Sequence, residues 1–378
     1  MAKRGQNEGS IYKRRDGRWT AAVSLGYKDG KRWRKTFYGK SRREVREKLS
    51  TALRAHQQGL PVAPERQTVG QFLERWLSDS VKPSVRPLTY DRYEQLVRLH
   101  ISPALGRIDL PKLSPQHVQA FLNQKRAHEL SPRTVQYLHA TLRRALGRAL
   151  KWNMVARNVA TLVDVPRVQR PEVQPFSLEQ ARTILDAIRG NRFEALYSVA
   201  LAVGLRRGEA LGLRWDDVDL DAGTLKVRTA LQRIDGKLQL VEPKTSRSRR
   251  TIALPDMAVA ALRSHRARQL QERLLAGSRW QDTGMVFTTS IGTYMEPRNL
   301  TRHFSRTIKN AGLPPKRFHD LRHTCASLLL AQGVHARVVM EILGHSQIGL
   351  TMDTYSHVAP SLQRDAAGRM NDALTRKC

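Results

Sequence analysis

The sequence predicts a multi-domain protein that contains a small three-stranded β-sheet plus a helix, an all-helical domain, and a mainly α, mixed α+β domain. Its 378 residues suffice for two or three domains of roughly 150 residues each. Proline-containing stretches at residues 59–66 and 163–175 are typical of linkers. Short β-prone runs precede the first stretch, helical spacing of apolar residues follows it, and helices mixed with strand-like runs follow the second. We therefore place the domains at residues 1–60, 67–160 and 173–378.

The first 60 residues predict a small basic module. Its β-prone runs lie at residues 10–12, 19–23 and 32–38. Asp-Gly dipeptides, which are strong hairpin-turn signals, separate these runs at residues 16–17 and 29–30. Ser41 is a helix-capping residue type and predicts a helix from residue 42 to about 58. Seventeen basic against five acidic residues indicate DNA contact; the alternative is a module whose aromatic side chains only fill its core and whose charges are only solvated.

The second domain is predicted to be helical from residue 68 to about residue 158. Apolar side chains recur at three- and four-residue spacing, as at Val69, Phe72, Leu73 and Trp76. Pro87 lies near the start of the second helix. Ser114 and Ser131 are predicted N-caps, each followed by a proline at the first helical position. The last helix carries basic side chains at Arg143, Arg144, Arg148 and Lys151.

The third domain mixes helices with a β region. Ser177 and Gln180 form a capping-box pattern at the start of its first helix. Strand-like runs lie at residues 224–228, 231–234, 238–240 and 251–254. Asp235-Gly236 predicts a turn between the second and third of these runs.

The net charge of the chain indicates a negatively charged binding partner. Lys and Arg number 66 against 33 Asp and Glu, a net charge of +33. Such an excess is best explained by a polyanion, with nucleic acid favoured over an anionic membrane surface. No stretch approaches the roughly 18–20 uninterrupted apolar residues of a spanning helix, and the basic N-terminus lacks the apolar region of a secretory signal. Cys325 and Cys378 are the only cysteines, which excludes a disulfide framework and a four-cysteine zinc site. We expect a soluble, cytoplasmic protein.

Four segments of the third domain carry residue types suited to chemistry on a phosphate. In the first, residues 202–211, Gly204 and Gly208 bracket Arg206 at the start of a helical run, where backbone N–H groups and a guanidinium can share one anion. The remaining candidates are Lys244 just before a basic strand, His319 and Arg322 on one predicted helix face, and His345 followed ten residues later by Tyr355.

Each segment alone has an ordinary structural alternative. A lone arginine on a helix is usually solvated, and a lone tyrosine usually packs half-buried. His319 and His323 have the spacing of a zinc pair, but a metalloprotease helix needs glutamate where Asp320 stands. Cys325 is expected to pack rather than to react, because nothing in its surroundings marks it as an activated thiol.

Together the four segments favour phosphoryl transfer on a diester. The transition state spreads negative charge over its equatorial oxygens, and preorganised cations stabilise that charge. A tyrosine hydroxyl supplies a covalent nucleophile and keeps the bond energy in a phosphotyrosine. No metal, ATP or other cofactor is therefore expected.

These segments resemble the tyrosine recombinase (phage integrase) family. Its pattern is an arginine in a G-x-R-x-G-E turn, a lysine on a β-hairpin, H-x-x-R, G-H and a terminal tyrosine, and all six positions occur here in that order over residues 175–360. The helical domain resembles the family's core-binding domain, and the N-terminal module resembles the arm-site-binding domain of integrases with two kinds of DNA site. One departure is Val203, where the family often has threonine.

The resemblance implies a site-specific recombinase that cuts and rejoins DNA. Tyr355 would attack the scissile phosphate, leaving a 3′-phosphotyrosine and a free 5′-hydroxyl. Lys244 would protonate the departing 5′ oxygen. His319 would assist proton transfer, and His345 would donate a hydrogen bond to the phosphate.

The same resemblance assigns the arginines. Arg206 and Arg322 would clamp the non-bridging oxygens, and Glu209 would support the active-site arginine and histidine. Arg207 is expected to point elsewhere, because neighbouring helical residues diverge by about 100°.

The candidate DNA contacts are the basic side chains of the N-terminal module and of the last helix of the helical domain. They are Arg14, Arg15, Arg18, Arg32, Arg34, Lys35, Arg143, Arg144 and Lys151. The resemblance implies a homo-tetramer on double-stranded DNA with core and arm attachment sites, held together by the tail at residues 360–377; the alternative is a tail helix that packs on its own domain. Resolvases of chromosome dimers in this family typically lack such an N-terminal module, so the module favours integration and excision of a phage or other mobile element over that alternative. An accessory host-encoded or directionality factor is left open.

Other classes of protein remain as alternatives. A non-catalytic, sequence-specific DNA-binding protein could retain this fold, but the six intact positions argue against a decayed site. A type IB topoisomerase uses similar chemistry, and the separate N-terminal module argues against it. RNA binding is disfavoured because no aromatic-rich strand of the RNA-binding type is present.

Overall fold

The computed structural model describes residues 9–28, 31–57, 67–127, 130–168, 174–242 and 249–344, with six further positions in the tail (367, 368, 370, 371, 374 and 375). For residues 25–28, 31–33 and 55–57 it describes the backbone alone. The chain divides into two compact units, Met1–Arg170 and Pro171–Cys378, and their boundary falls within the second predicted linker. The first predicted linker lies outside the described residues.

The first unit begins with the predicted sheet and helix. Strands β1 (Ser10–Lys13), β2 (Trp19–Lys28) and β3 (Lys31–Gly39) form an antiparallel sheet in the order β1-β2-β3. Helix α1 (Arg42–Gln57) begins after Ser41, whose hydroxyl accepts the backbone N–H of Glu44 at 3.2 Å. One face of the sheet packs on α1 through Ala21 and Val23. The Gly17 turn is confirmed, whereas the predicted turn at residues 29–30 lies outside the described residues.

The rest of this unit is helical, as predicted. Its α-helices are α2 (Val69–Trp76), α3 (Pro87–Leu96), α4 (Ser102–Leu105), α5 (Pro115–Ala127) and α6 (Pro132–Lys151). Helices α2 and α3 continue as π-helical turns, Leu77–Val81 and Val97–Ile101. The hydroxyl groups of Ser114 and Ser131 accept backbone N–H groups at the starts of α5 and α6, as the sequence predicts. The core of these helices is separate from that of the N-terminal module.

Part of the second predicted linker is anchored to this helical region. The Gln119 side chain accepts the backbone N–H of Asp164 at 2.8 Å and donates to its carbonyl at 3.3 Å. The Gln136 side chain donates to the Pro166 carbonyl at 3.1 Å. Residues 164–166 are therefore held by side chains of α5 and α6.

The second unit is mainly helical with a small β region. Its helices are α7 (Leu178–Ala187), α8 (Glu194–Val203), α9 (Arg207–Leu211), α10 (Asp256–Ala276), α11 (Pro297–Asn310), α12 (Asp320–Ala331) and α13 (Ala336–Leu343). The capping box of Ser177 and Gln180 at α7 is confirmed. Helix α8 lies at the centre of the core, with eight of its residues buried.

The strands of the second unit follow the predicted runs. They are β4 (Val218–Asp219), β5 (Thr224–Val227), β6 (Ala230–Ile234), β7 (Lys237–Val241) and β8 (Arg250–Ala253). One sheet has the order β4-β5-β8, and β6 pairs with β7. Asp235 and Gly236 both adopt positive φ (48° and 73°), the geometry of a two-residue hairpin turn. The two-residue strand β4 was not predicted, because a run this short has no readable alternation.

None of the helices that the structure describes is long and apolar enough to cross a membrane.

Candidate active site

The first motif singled out in the sequence forms a sharp reversal between α8 and α9. Gly204 ends α8 in the left-handed conformation (φ +64°), and Arg206 directly precedes α9. A Cβ atom on Gly204 would lie 2.4 Å from Leu343 Cδ2 and 3.5 Å from Arg322 Cγ. Both the backbone conformation and the lack of space therefore require glycine here.

The buried carboxylate of Glu209 binds both the side chain and the backbone of Arg206. Its side chain is 5% exposed, and its carboxylate accepts Arg206 Nη1 at 2.6 Å and the Arg206 backbone N–H at 3.1 Å. Arg250 Nη2 donates to the same carboxylate at 3.0 Å. Burial by itself raises the pKa of Glu209, but the charge and hydrogen bond of Arg250 and the charge of Arg206 outweigh it and lower the pKa. Glu209 is thus an ionised anchor between two arginines.

Arg322 lies on α12 with its side chain in the protein interior. It is 2% exposed, and its Nη1 donates to the Gly204 carbonyl at 2.8 Å. This bond joins the third motif to the first, two residues before Arg206.

His319 lies just before α12 and is exposed, so its imidazole is open to a substrate. Its ring stands edge-on to that of His323, with ring centroids 5.1 Å apart. Desolvation, followed by the charges of His323, Arg322 and Arg317, lowers the pKa of His319 to about 4. The imidazole is therefore neutral at pH 7 and is able to accept a proton.

Asp320 binds Arg317 and thereby stabilises the turn before α12. Its carboxylate accepts the backbone N–H of Arg317 at 2.7 Å and Arg317 Nη2 at 2.9 Å. It thereby fixes the turn that presents His319. Among the residues described, no three His, Cys, Asp or Glu side chains come together as ligands for a metal ion.

The fourth motif reaches the site through a second left-handed glycine. Gly344 ends α13 with φ +66°, and its carbonyl accepts Arg206 Nη2 at 3.1 Å. The residue that directly precedes His345 is therefore hydrogen-bonded to Arg206. His345 and Tyr355 themselves lie outside the described residues.

Lys244 also lies outside the described residues, but both flanks of its segment are placed. Arg249 Nη2 and Glu242 Oε2 form an ion pair of 2.7 Å between the two ends of the undescribed residues 243–248. An open groove of about 730 Å³ runs beside them. Its charged lining residues are Lys226, Arg228, Glu242, Arg249 and Arg250.

Two further sequence predictions are confirmed. Arg207 points away from the site, because its Nη1 donates to Thr301 Oγ1 at 2.9 Å. Cys325 is a packing residue that is 2% exposed, and burial raises the pKa of its thiol to about 12.

The basic candidates of the N-terminal module fall on different surfaces. The register places Arg34 opposite Ser24 and Lys35 opposite Val23, so that Arg34 lies on the open face of the sheet and Lys35 on the face that packs on α1. The half-exposed Tyr12 and Tyr38 flank Thr20 on the open face. Arg14, Arg15 and Arg18 lie in or beside the turn between β1 and β2, and the side chain of Arg32 is not described.

On helix α6, Arg143, Arg144 and Lys151 are exposed. The Arg144 guanidinium lies 5.3 Å from the centroid of the Tyr93 ring, and its Nη1 donates to the Tyr93 hydroxyl at 2.7 Å. Arg143, Arg144 and Arg157 line a groove of about 680 Å³. Arg157 was not predicted as a DNA contact, because it lies beyond the helix in sequence and approaches the other two arginines only through the fold.

Comparisons with known proteins identify the family of this chain. Residues 175–361 match the phage integrase family, and residues 68–126 match the phage integrase N-terminal SAM-like domain. A tyrosine recombinase XerC-like protein of Caldanaerobacter subterraneus subsp. tengcongensis is 32% identical, over 94% of this chain and 96% of that protein.

Solved structures show the same fold. The Tn1549 transposon integrase in complex with a circular intermediate DNA is 21% identical, with a TM-score of 0.67 over 79% of this chain and 99% of that one. A lambda integrase tetramer bound to a Holliday junction is 17% identical, with a TM-score of 0.58 over 94% and 97% of the two chains.

The chain belongs to the tyrosine recombinase (phage integrase) family, whose members are enzymes that cut and rejoin DNA. Within that family it is of the site-specific integrase type found in phages and mobile elements.

Proposed function

We propose that this chain is an integrase that cuts and rejoins DNA through a 3′-phosphotyrosine on Tyr355, integrating and excising a phage or other mobile element. The observation that carries the proposal is the convergence of separate motifs at Arg206. Glu209 holds its guanidinium, the Gly344 carbonyl accepts from it, and Arg322 binds the carbonyl two residues before it.

In the proposed reaction the Tyr355 hydroxyl attacks the scissile phosphorus. The Tyr355 oxygen forms a bond to phosphorus as the bond to the 5′ oxygen breaks, and Lys244 gives its proton to that departing oxygen. His319 accepts the proton of the tyrosine, a role that its neutral state permits. Attack by a second 5′-hydroxyl reverses the step, so rejoining needs no ATP, metal or other cofactor.

The two arginines act on the charge of the phosphate. The Arg206 side chain is 37% exposed. Its guanidinium is therefore accessible to a phosphate while it is hydrogen-bonded to Glu209 and to the Gly344 carbonyl. Arg322 contributes a fixed positive charge, because its guanidinium is buried and bound to the Gly204 carbonyl. Such groups need no reorganisation as charge develops in the transition state. His345 would complete the set as a hydrogen-bond donor.

The proposed partner is double-stranded DNA with arm and core sites. The open face of the N-terminal sheet, with Arg34 and the exposed rings of Tyr12 and Tyr38, suits an arm site. The groove beside α6 suits a core site. We assign these roles to domains at residues 1–60 and 67–160, with catalysis in residues 173–378.

The proposed assembly on DNA is a tetramer, the form named for the related lambda integrase. In the tail, Met370 and Leu374 belong to helical segments and are 61% and 78% exposed. These side chains suit a tail that docks on a neighbouring protomer. An accessory host-encoded or directionality factor would add to this assembly.

The test is adduct formation on a nicked duplex that carries the element's own recombination junction. A nick beside the scissile phosphate lets the 5′-hydroxyl fragment diffuse away, so the covalent adduct accumulates. We expect an adduct in EDTA and without ATP, its loss in Tyr355→Phe, and its retention in Tyr294→Phe, which removes a tyrosine hydroxyl outside the site. Tight binding of this duplex without any adduct would instead identify a non-catalytic DNA-binding protein.

A further inference from the structure

Arg250 is a buried arginine that the four-motif pattern does not contain. It is the first residue of β8, directly after the segment that carries Lys244, and its side chain is 7% exposed. Its neighbour Arg249 is 57% exposed and pairs with Glu242. Of these two adjacent arginines, Arg249 is therefore solvent-exposed and Arg250 is buried.

The Arg250 guanidinium contacts two elements that lead to the catalytic centre. Its Nη2 donates to Glu209 Oε2 at 3.0 Å, while Glu209 Oε1 accepts Arg206 Nη1 at 2.6 Å. Its Nε donates to the Ile342 carbonyl at 2.6 Å, in the last turn of α13. One planar group thus binds the carboxylate that holds Arg206 and the helix end that leads to His345.

Gly344 packs closely against the Arg250 side chain. A Cβ atom on Gly344 would lie 2.9 Å from Arg250 Nη1 and 3.2 Å from Arg250 Cζ. The Gly344 carbonyl is also the acceptor of Arg206 Nη2 at 3.1 Å. Both anchors of Arg206, the Glu209 carboxylate and the Gly344 carbonyl, therefore lie beside Arg250.

We propose that Arg250 is a positioning residue for strand cleavage, acting through Glu209 and the end of α13 to set the orientation of Arg206. This inference rests on the proposed function. A buried ion pair adds little net stability, because desolvation offsets the attraction of the charges. Its geometric effect is larger, since displacement of a catalytic group by about 1 Å can slow a reaction roughly 100-fold.

Positioning by Arg250 requires two separate N–H donors on one rigid, planar group. Arg250 binds Glu209 through Nη2 and the Ile342 carbonyl through Nε at the same time. A lysine would keep the charge but would present one nitrogen on a flexible stem. Arg250→Lys therefore separates the charge from the two-point geometry, and Arg250→Gln removes both.

The test measures the rate constant of adduct formation on the nicked duplex at saturating protein, together with the Kd for that duplex. We expect Arg250→Lys to be about 10-fold slower and Arg250→Gln about 100-fold slower than the wild type, each with a Kd within about 3-fold. The control is Arg263→Gln, which removes an exposed arginine paired with Asp221 and should cleave at the wild-type rate. A wild-type rate in both Arg250 variants overturns the proposal.

A kinetic double-mutant cycle distinguishes positioning from a general loss of structure. If Arg250 acts through Arg206, adding Arg250→Lys to Arg206→Lys slows cleavage by less than about 2-fold further. If the two losses multiply, Arg250 acts independently of Arg206 and the proposal is wrong. Should Arg250→Gln fail to fold, Arg250→Lys and the cycle decide the question. Absence of adduct in the wild type would contradict the proposed function, whereas a wild type that cleaves alongside unaffected Arg250 variants contradicts only this inference.

Discussion

Arg322 and Gly204 are joined by a hydrogen bond of 2.8 Å from the guanidinium Nη1 to the main-chain carbonyl. The donor is buried on α12, and the acceptor is the left-handed residue that ends α8, two positions before Arg206. This bond couples the two motif arginines, because the turn that presents Arg206 is held by the side chain of Arg322. The site is consequently sensitive to small changes at Gly204.

Gly204→Ala should destabilise the second unit and abolish cleavage. A left-handed alanine costs about 1–2 kcal/mol, and the new Cβ would lie 2.4 Å from Leu343 Cδ2, so overpacking adds about 1–3 kcal/mol. Urea unfolding measures the loss. The matched control is Gly190→Ala, which has a similar φ of +70° but no atom within 4 Å of its Cβ. Equal losses in the two variants would show that packing at Gly204 is unimportant.

His319 should not titrate in the neutral range. Since its pKa is about 4, adduct formation should be independent of His319 protonation near pH 7 and should fall as the pH drops below about 5. His319→Gln keeps a hydrogen-bonding group but cannot accept the proton, and we expect cleavage to slow about 100-fold. A pH–rate profile of the wild type with a midpoint near 6.5 would contradict the lowered pKa.

The same shift predicts a stability effect. An unfolded imidazole, with a pKa near 6.5, binds a proton before the folded one does, so His319 lowers the free energy of unfolding as the pH falls from about 6.5 to 4. The free energy of unfolding of His319→Gln should therefore decline less than that of the wild type between pH 7 and pH 5. Urea unfolding at the two pH values checks this, and parallel declines would argue against it.

Glu209→Gln should destabilise the protein at neutral pH by about 3 kcal/mol, since it leaves Arg250 buried without its anionic partner. The lowered pKa of Glu209 means that its contribution is present above the unfolded pKa of about 4.5 and is lost as the pH falls through the lower folded value. The difference between wild type and variant should therefore shrink in acid. Glu341→Gln, at an exposed ion pair with Arg337, is the control and should cost under about 0.5 kcal/mol. A pH-independent difference would contradict the ionised state of Glu209.

Arg34→Gln and Lys35→Gln should differ in their effect on arm-site DNA. Arg34 lies on the open face of the sheet, whereas Lys35 lies on the face that packs on α1. If Arg34 contacts a phosphate, its loss should weaken binding and reduce the slope of log K against log salt by about 1. Lys35→Gln should leave the slope unchanged. Fluorescence anisotropy across a salt series measures both, and equal slopes in the two variants would rule out the open face as the contact surface.

Much of the local structure could be predicted because it depends on neighbours in the chain. The capping box of Ser177 and Gln180 joins residues three positions apart, and the Asp235-Gly236 turn needs only residues that tolerate positive φ. Arg207 diverges from Arg206 as predicted, although the physical reason differs, because Arg206 has an extended backbone and α9 begins only at Arg207. These predictions are confirmed, whereas the catalytic roles of all six motif residues remain predictions: Arg206, Lys244, His319, Arg322, His345 and Tyr355.

The sequence by itself determined the strands of the N-terminal sheet, the strands β5 to β8, the starts of several helices, which chemical groups are available, and the family to which their order belongs. These properties follow from spacing and residue type, which are local. Only the tertiary structure decided that Arg250 and not Arg249 binds Glu209, since that contact joins residues 41 positions apart and the contact with Ile342 joins residues 92 apart. It also decided which face of the N-terminal sheet stays open, because α1 covers the other. Burial and long-range contacts depend on how the helices and strands pack. The environments of the adjacent Arg249 and Arg250 can therefore be distinguished only in the tertiary structure.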